Sequence, residues 1–258
     1  MTNAGIGTRL ITLLTVIVPI MELYNGLALA EDFAWGKMEL KPDGVLFHVT
    51  ASEDSPVLSV PRFQNPVKGV FLKSDAEQKE LRLKPGIKSW DIVLPAKLSG
   101  PVTVVMDTVG APRGTQEPMV FRADVNGILT LPAHGAIVHG EKLRYEPQPH
   151  KNTVGYWQNP EDWCEWKIEL KGTQRYEVFI LQGCGKGHGG SEVNLFAGTK
   201  RLNFKVEDTG HFQNFQRRSL GMVELDSVTC QSLKLVPVRK SKGAVMDVRR
   251  IELVVHKD

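Results

Sequence analysis

The sequence has few cysteines, few aromatic residues and little net charge. Its 258 residues include 3 Cys and 7% aromatic residues, and 32 Lys and Arg face 29 Asp and Glu. Three cysteines permit one disulfide and one spare thiol without singling out a pair, and their spacing fits no zinc site. A net charge of +3 is far from the clustered basic face of nucleic-acid-binding proteins, so no nucleic-acid partner is expected.

Long apolar runs are also missing, with one exception near the N-terminus. A single arginine precedes the apolar run Leu10–Ile20, and a more polar stretch then ends in Ala28–Ala30. This order is typical of a secretory signal peptide, with the mature chain beginning near Glu31. A membrane anchor is the alternative, but the run is short and Pro19 interrupts it. The sequence therefore predicts a signal peptide over residues 1–30 and a secreted or periplasmic protein that is not an integral membrane protein.

Helical periodicity is almost absent after the first thirty residues. Short β-branched runs such as GVLFHVT, VKGVFLKS and PVTVVMDTV alternate with turn residues instead. Many short strands at regular spacing indicate an all-β protein built from sandwiches or barrels. The Gly- and Pro-rich stretch Gly110–Pro118 suggests a linker at 111–118 between domains at 31–110 and 119–258. Beyond it, Asn126–Gly127 between two alternating runs predicts a β-hairpin.

A glycine-rich segment raises the question of a nucleotide site. Gly185, Gly187 and Gly190 have the spacing G-x-G-x-x-G after a strand-like run. A dinucleotide loop must be followed by a helix, whose N-terminal amides hold the pyrophosphate. Here SEVNLFAG follows, in which apolar and polar residues alternate as in a strand. The pattern therefore predicts a strand–loop–strand arrangement and no nucleotide cofactor.

Residues for catalysis are not assembled in any recognisable motif. Adjacent or nearby acidic pairs occur at Glu161/Asp162, Glu207/Asp208 and Asp247/Glu252. Hydrolysis of a glycoside needs two carboxyl groups facing one sugar, whereas such pairs are usually exposed turns. The seven histidines have no metal-ligand spacing, and no nucleophile–His–acid signature stands out.

The segment DWCEWKIEL alternates between two faces. Cys164, Trp166, Ile168 and Leu170 fall on one face, which we expect to be core, and Trp163, Glu165, Lys167 and Glu169 on the other. Cys164 is then a buried small hydrophobe rather than a nucleophile.

Two loop-like segments carry aromatic residues among amides and acids. VGYWQNPEDW contains Tyr156 and Trp157, and TGHFQNFQRR contains His211, Phe212 and Asn214. Aromatic faces stack on sugar rings while amides and carboxylates bind hydroxyl groups, so these five residues form a candidate carbohydrate site. The alternative is that the aromatic residues close the ends of a sandwich core.

The second half resembles the family-6 and family-35 carbohydrate-binding modules, which are galactose-binding-like jelly rolls. The resemblance rests on the order of AIVHGEKL, VGYWQNPEDWCEWKIEL, YEVFILQGCG, TGHFQNF and GAVMDVRRIEL. Two longer stretches, HGEKLRYEPQPHKNTVGYW and LQGCGKGHGGSEV, are similar to C-terminal modules of secreted bacterial α-L-fucosidases and sulfatases, notably planctomycete ones. The resemblance implies a structural calcium held by Glu141 and Asp247, and sugar stacking on Trp157 and Phe212.

The first half is similar to the β-sandwich that follows the catalytic barrel of family-29 α-L-fucosidases. The similar residues are DGVLFHVTASEDSPVLSVPRFQNPVKGVFLKSD and SWDIVLPAKLSGPVTVVMDT. A (β/α)₈ barrel needs about 250 residues, and none precedes Ala34, so the catalytic residues of that family have no counterparts here. The sequence therefore predicts two β-sandwiches, the second a jelly roll, in a secreted non-catalytic glycan-binding accessory protein. Its expected ligand is a glycan, and fucosylated and sulfated polysaccharides are the candidates. The alternatives are a docking module for a separate glycoside hydrolase or sulfatase, and an inactive fragment of an α-L-fucosidase.

Overall fold

The structure is a computed structural model that describes residues 30–50, 56–96 and 100–256. Its regular structure is almost all β-strand, and the one helical element among these residues is a 3-10 turn at Ala133–Gly135. The predicted all-β class is confirmed. The predicted signal peptide lies outside the described residues, apart from Ala30.

The first half forms two antiparallel sheets. Its strands are β1 (Ala30–Phe33), β2 (Gly36–Lys41), β3 (Gly44–Val49), β4 (Val57–Pro61), β5 (Val67–Leu72), β6 (Arg82–Pro85), β7 (Ser89–Val93) and β8 (Val102–Thr108). One sheet has the order β1-β2-β3-β8-β5 and the other the order β4-β7-β6. Alternation along the strands buries Val45 and Phe47 on one sheet and Trp90 and Ile92 on the other, all without exposed surface. These side chains are the core of the first sandwich.

The second half forms two further sheets. Its strands are β9 (Val120–Arg122), β10 (Ile128–Pro132), β11 (Ile137–His139), β12 (Arg144–Glu146), β13 (Thr153–Gly155), β14 (Trp163–Glu169), β15 (Thr173–Cys184), β16 (Glu192–Ala197), β17 (Lys200–Lys205), β18 (His211–Asp226), β19 (Ser232–Arg239) and β20 (Asp247–Val255). The β20 sheet has the order β12-β13-β20-β15-β18, and β10 also pairs with β20. The β14 sheet has the order β11-β14-β19-β16-β17, and β9 pairs with β14 in parallel. The two sheets pack as a jelly-roll sandwich, so the predicted fold class is confirmed for both halves.

The predicted hairpin at Asn126–Gly127 is only partly correct. The turn forms, with Gly127 at φ 79° and its N–H donating to the carbonyl of Asp124 at 3.0 Å. However, β9 pairs with β14 and β10 with β20, so the two strands enter opposite sheets. The turn therefore links the two layers of the sandwich rather than closing one ladder.

Buried contacts around Arg62 join the two sandwiches. Arg62 is 8% exposed, and its guanidinium donates to the carbonyls of Ile87 at 3.4 Å and Ala136 at 3.3 Å. The same group lies 5.9 Å from the ring of Tyr145, whose centroid is 6.4 Å from that of Trp90. Because one cluster of buried residues runs through both halves, the sandwiches share a continuous core.

The three cysteines lie in the core. Cys164, Cys184 and Cys230 are all buried free thiols. Burial raises the pKa of each thiol, which disfavours the reactive thiolate. Within the described part of the chain, no helix is long and apolar enough to cross a membrane.

Candidate functional site

The predicted site residues lie near one end of the second sandwich, the loop end. Antiparallel pairing brings the end of β15 to the starts of β18 and β20, with Cys184 opposite His211 and Gly183 opposite Asp247. Hydrogen bonds join the segments that meet here, which are 140–143, 156–162, 185–191, 206–210 and 240–246.

Trp157 belongs to the core, as the alternative interpretation held. Its side chain has no exposed surface, and its indole Nε1–H donates to the carbonyl of Asp162 at 2.9 Å. The preceding Tyr156 has φ 57°, so the two neighbouring aromatic side chains leave the chain in different directions. Tyr156 is 41% exposed and lies under the guanidinium of Arg144, whose Cζ is 3.7 Å from the ring centroid. A buried Trp157 offers no face to a sugar.

His211, Phe212 and Asn214 form a compact group at the start of β18. Phe212 is half-buried and meets the ring of His188 edge-on, with centroids 5.3 Å apart. The Nδ1 atom of His211 accepts the backbone N–H of Gln213 at 3.1 Å, and Asn214 donates to the carbonyl of Thr209 at 2.5 Å. This group is therefore held by local hydrogen bonds, with His211 and Asn214 exposed beside Phe212.

The glycine segment is a strand–loop–strand, as predicted. β15 ends at Cys184 and β16 begins at Glu192. Asp208 accepts the backbone N–H groups of Gly187 and Gly210, and these bonds lower the pKa of its carboxyl group. Gly185 packs against Phe212, where an added Cβ would lie 2.6 Å from the ring. Gly185 is thus tightly packed within the loop, whereas nothing lies within 4 Å of a Cβ added at Gly187.

Asp247 and Glu146 are neighbouring buried carboxylates under this end of the sheet. They are 4% and 5% exposed. A Cβ at Gly155 would lie 2.7 Å from Asp247 Oδ1 and 3.0 Å from Glu146 Oε2. Only the absence of a side chain at Gly155 leaves room for both carboxyl groups. Burial, and next the negative charge of Glu146, raise the pKa of Asp247 to about 8. Lys151 Nζ is 2.8 Å from Glu146 Oε1 and compensates one of the two charges.

Of the two acids that the resemblance implies for calcium, the structure places only Asp247 in a buried acidic pair. Glu141 is exposed, and its backbone N–H donates to Asp162 at 2.9 Å, whereas the acid beside Asp247 is Glu146. Sequence order alone did not distinguish these two glutamates, because only the β12–β13 pairing places Glu146 next to β20.

Cationic side chains contact several oxygen atoms near this acidic pair. Calcium takes six to eight oxygen ligands, but Lys151 occupies Glu146, and Arg249 binds the carbonyls of His150 and Lys151 at 3.0 and 2.7 Å. No group of three or more His, Cys, Asp or Glu side chains within the described ranges is arranged to hold a metal ion.

The acidic pairs considered for catalysis have structural partners. Asp162 has no exposed surface and accepts three backbone N–H groups, from Glu141, Lys142 and Leu143, at 2.9, 2.8 and 2.7 Å. Glu252 pairs with Arg217 at 2.7 Å and with Arg250 at 2.6 Å. Asp208 holds the glycine loop, as described above.

A second surface, the outer groove, lies on the solvent side of the β14 sheet. It has a volume of about 800 Å³ and runs across β14, β19 and β16. Its lining combines two aromatic side chains, aliphatic groups and short polar groups: Trp163, Phe196, Gly198, Val228, Thr229, Gln231, Ser232, Lys234 and Val236. Phe196 stands opposite Lys234 in the strand register.

Trp163 is held in a fixed orientation at this groove. Its ring stacks on His139 with centroids 3.7 Å apart and an angle of 9° between the planes. Lys234 Nζ lies 5.3 Å from the Trp163 ring. Glu165 beside it is only 7% exposed, because His139 at 3.4 Å and Lys167 at 3.1 Å cover its carboxylate. A half-buried, oriented indole beside a cation is suited to hold a flat polar ligand.

Sequence reasoning did not select Trp163 as a site residue, although the signal was present. The alternation of DWCEWKIEL placed Trp163 opposite the core face, and the burial of Cys164, Trp166, Ile168 and Leu170 confirms that assignment. A tryptophan that alternation directs to solvent was the informative feature.

Comparisons with known proteins find no matching family model and no matching curated protein. The described chain is an all-β pair of sandwiches, and a search of solved structures finds similarity to parts of it. The C-terminal CBM6 of LamC, a marine laminarinase from Zobellia galactanivorans, is 17% identical, with a TM-score of 0.41 over 49% of this chain and 98% of that one. A family 35 carbohydrate binding module from Clostridium thermocellum is 11% identical, with a TM-score of 0.39 over 49% and 96%. An α-L-fucosidase from Vibrio sp. strain EJY3 is 14% identical, with a TM-score of 0.32 over 87% of this chain but 40% of the fucosidase.

Proposed function

We propose that this protein is a secreted, non-catalytic glycan-binding protein related to the C-terminal region of α-L-fucosidases. The observation that carries the proposal is the outer groove, where Trp163 and Phe196 line an open depression among short polar side chains. Such a surface combines apolar contact area with hydrogen-bonding groups, as polar-ligand sites do.

Binding would proceed without a covalent step. Trp163 lines the groove and would supply its apolar contact surface to a sugar ring, while stacking on His139 holds the indole in one orientation. Gln231 and Ser232 stand at the same groove and supply an amide and a hydroxyl group for sugar hydroxyls. Because the groove is open, a chain of several sugars can lie across it.

The non-catalytic part of the proposal is supported by the engagement of the acidic groups. Asp162, Asp208 and Glu252 are each committed to backbone or arginine partners, and Asp247 is 4% exposed. A glycosidase needs two carboxyl groups that reach one glycosidic bond from opposite sides. Turnover of a chromogenic fucoside by the purified protein would contradict this part.

Two single substitutions test the binding surface and separate the two candidate sites. Trp163→Ala removes the aromatic wall of the outer groove, and Phe212→Ala removes the predicted aromatic at the loop end. A panel of neutral, fucosylated and sulfated polysaccharides would be examined by affinity electrophoresis. We expect Trp163→Ala to weaken binding about tenfold or more, in line with the loss of one aromatic–ligand contact, and Phe212→Ala to leave it unchanged. Retained binding of an uncharged glycan by a folded Trp163→Ala protein would refute the outer groove as the site.

Export is tested separately. We propose that cleavage near Ala30 yields a mature protein in the periplasm or medium, on the basis of the apolar run and the Ala28–Ala30 segment. N-terminal sequencing of the exported protein should begin near Glu31, and recovery of only full-length cell-associated chain would contradict it.

Partner docking is the second candidate function, and one observation favours it. Val228, at the rim of the outer groove, is 79% exposed, which adds apolar surface that a protein partner would cover. If the glycan panel gives no binding to folded protein, co-purification with a glycoside hydrolase or sulfatase becomes the decisive experiment.

A further inference from the structure

A second groove lies where the two sandwiches meet, and we call it the junction groove. It has a volume of about 570 Å³ and lies between β6 of the first sandwich and β12 with the following loop of the second. Both are edge strands of their sheets. Gln148 bridges the gap, since its side-chain Nε2 donates to the carbonyl of Leu83 at 3.0 Å.

The charged side chains of the junction groove are predominantly cationic. Arg82 and Lys84 are exposed on β6, where alternation puts both on the face opposite Leu83. Arg144 faces them from β12, and His150 stands beside it. None of Arg82, Lys84 and Arg144 has an ion-pair partner among the described residues.

The acidic residues of this groove do not neutralise it. Glu146 is 5% exposed and is already paired with Lys151 at 2.8 Å. Glu80 is then the one remaining carboxylate in the lining, against three unpaired cations. The groove lining therefore carries excess positive charge, with Asp91 of β7 the acid opposite Lys84 in the strand register, although the whole chain is close to neutral.

The orientation of Arg144 is fixed before any ligand binds. Its guanidinium stacks on Tyr156 at 3.7 Å, and Tyr156 is held out of the core by its positive φ of 57°. A guanidinium stacked on a ring keeps its donor edge free for an oxyanion, and guanidinium groups match sulfate and carboxylate geometry. Tyr156 was a predicted sugar-stacking residue, but here its ring supports the cation.

We propose that the junction groove binds an anionic polysaccharide, with sulfate or carboxylate groups facing Arg82, Lys84 and Arg144. Residues two apart on a strand are about 7 Å apart, so the cations are spread along the groove rather than converging on one phosphate. No Phe, Tyr or Trp side chain lines the groove, and the nearby ring of Tyr156 is covered by Arg144, which favours a charged glycan over single-stranded nucleic acid. This site is separate from the outer groove and adds anionic glycans to the proposed ligands.

The test compares dextran sulfate with uncharged dextran of the same length, using the full mature chain in affinity electrophoresis. Arg82→Ala/Lys84→Ala removes two groove cations, and Lys200→Ala/Arg201→Ala removes two exposed cations from β17 as a matched control. We expect the groove variant to bind dextran sulfate about tenfold more weakly, from two ion contacts. The control variant should bind as the native protein does, and added salt should weaken native binding.

Three results would overturn the proposal: no retardation of the native protein by dextran sulfate, equal loss in the two double variants, or equally tight binding to single-stranded DNA with the same loss in the groove variant. Failure of this proposal is distinguishable from failure of the proposed function. Trp163→Ala should leave dextran sulfate binding intact, whereas Arg82→Ala/Lys84→Ala should leave neutral glycan binding intact.

Discussion

At the scale of single residues, Asp247 gives the clearest prediction because two acids share one buried space. Its pKa is raised to about 8, first by burial and then by Glu146, so the fold favours the protonated carboxyl group. A group with a raised folded-state pKa stabilises the fold below its ordinary pKa of 3.8 and loses that contribution as pH rises toward 8. We therefore expect the contribution of Asp247 to the free energy of unfolding to fall between these two pH values.

The measurement is urea unfolding of native protein and Asp247→Asn across pH 4 to 9, with EDTA present. Because asparagine cannot ionise, we expect the variant to be more stable relative to the native protein at pH 8 than at pH 4, by about 1 kcal/mol or more. Asp124→Asn is the control: Asp124 is exposed, and its pKa is lowered, first by the N–H of Ile128, so its contribution is lost only in acid. A constant difference between Asp247→Asn and native protein over the whole range would contradict the prediction.

For single residues, the sequence predicted burial correctly where the alternation of side chains along a strand is enough to decide it. The core face of DWCEWKIEL and the buried state of Cys164 followed from a period of two. It did not separate Tyr156 from Trp157, which were both site candidates, because the positive φ of Tyr156 cannot be read from the pattern of residue types; the structure buries Trp157 and leaves Tyr156 exposed. The prediction failed for Glu146 because the neighbour of Asp247 is fixed by strand pairing, which residue types do not encode locally.

At the scale of secondary-structure elements, the packing of β15 against β18 depends on Gly183. The register shifts between Gln182 and Cys184, and a Cβ on Gly183 would lie 1.9 Å from the carbonyl oxygen of Phe212. We expect Gly183→Ala to lower the free energy of unfolding by about 3 kcal/mol, because the backbone of β18 must move. Gly69→Ala in β5 is the control, since nothing lies within 4 Å of that position, and its effect should stay within about 0.5 kcal/mol.

Chemical denaturation of both variants measures the difference. Equal stability of Gly183→Ala and Gly69→Ala would show that β18 accommodates the methyl group. The strand–loop–strand pattern around Gly183 was predictable from alternation, but the bulge was not. A bulge arises from how two distant strands accommodate each other, and sequence patterns report only the strand itself.

At the scale of the whole molecule, the sequence predicted two β-sandwiches but not that they share one core. Linker composition at 111–118 marks a boundary in the chain, whereas the contacts across that boundary come from residues far from it, such as Arg62 and Tyr145. A buried arginine was not an obvious core candidate, since such side chains are rarely buried without a partner. Strand order within the four sheets was likewise beyond the sequence, because most pairings join distant segments.

The last prediction concerns cooperativity between the sandwiches. Arg62 of the first sandwich holds the carbonyl of Ala136 in the second, so Arg62→Met leaves that acceptor without the guanidinium while keeping the apolar stem. We expect calorimetry of the native protein to give one unfolding transition, because the buried cluster spans both halves.

Arg62→Met should lower the free energy of unfolding by about 1 to 3 kcal/mol, and the weakened junction should separate the transition into two. Arg122→Met is a suitable control, because Arg122 is exposed and pairs with Glu169 within the second sandwich. Two transitions in the native protein would show that the sandwiches unfold independently, and one unchanged transition in Arg62→Met would show that this contact does not couple them.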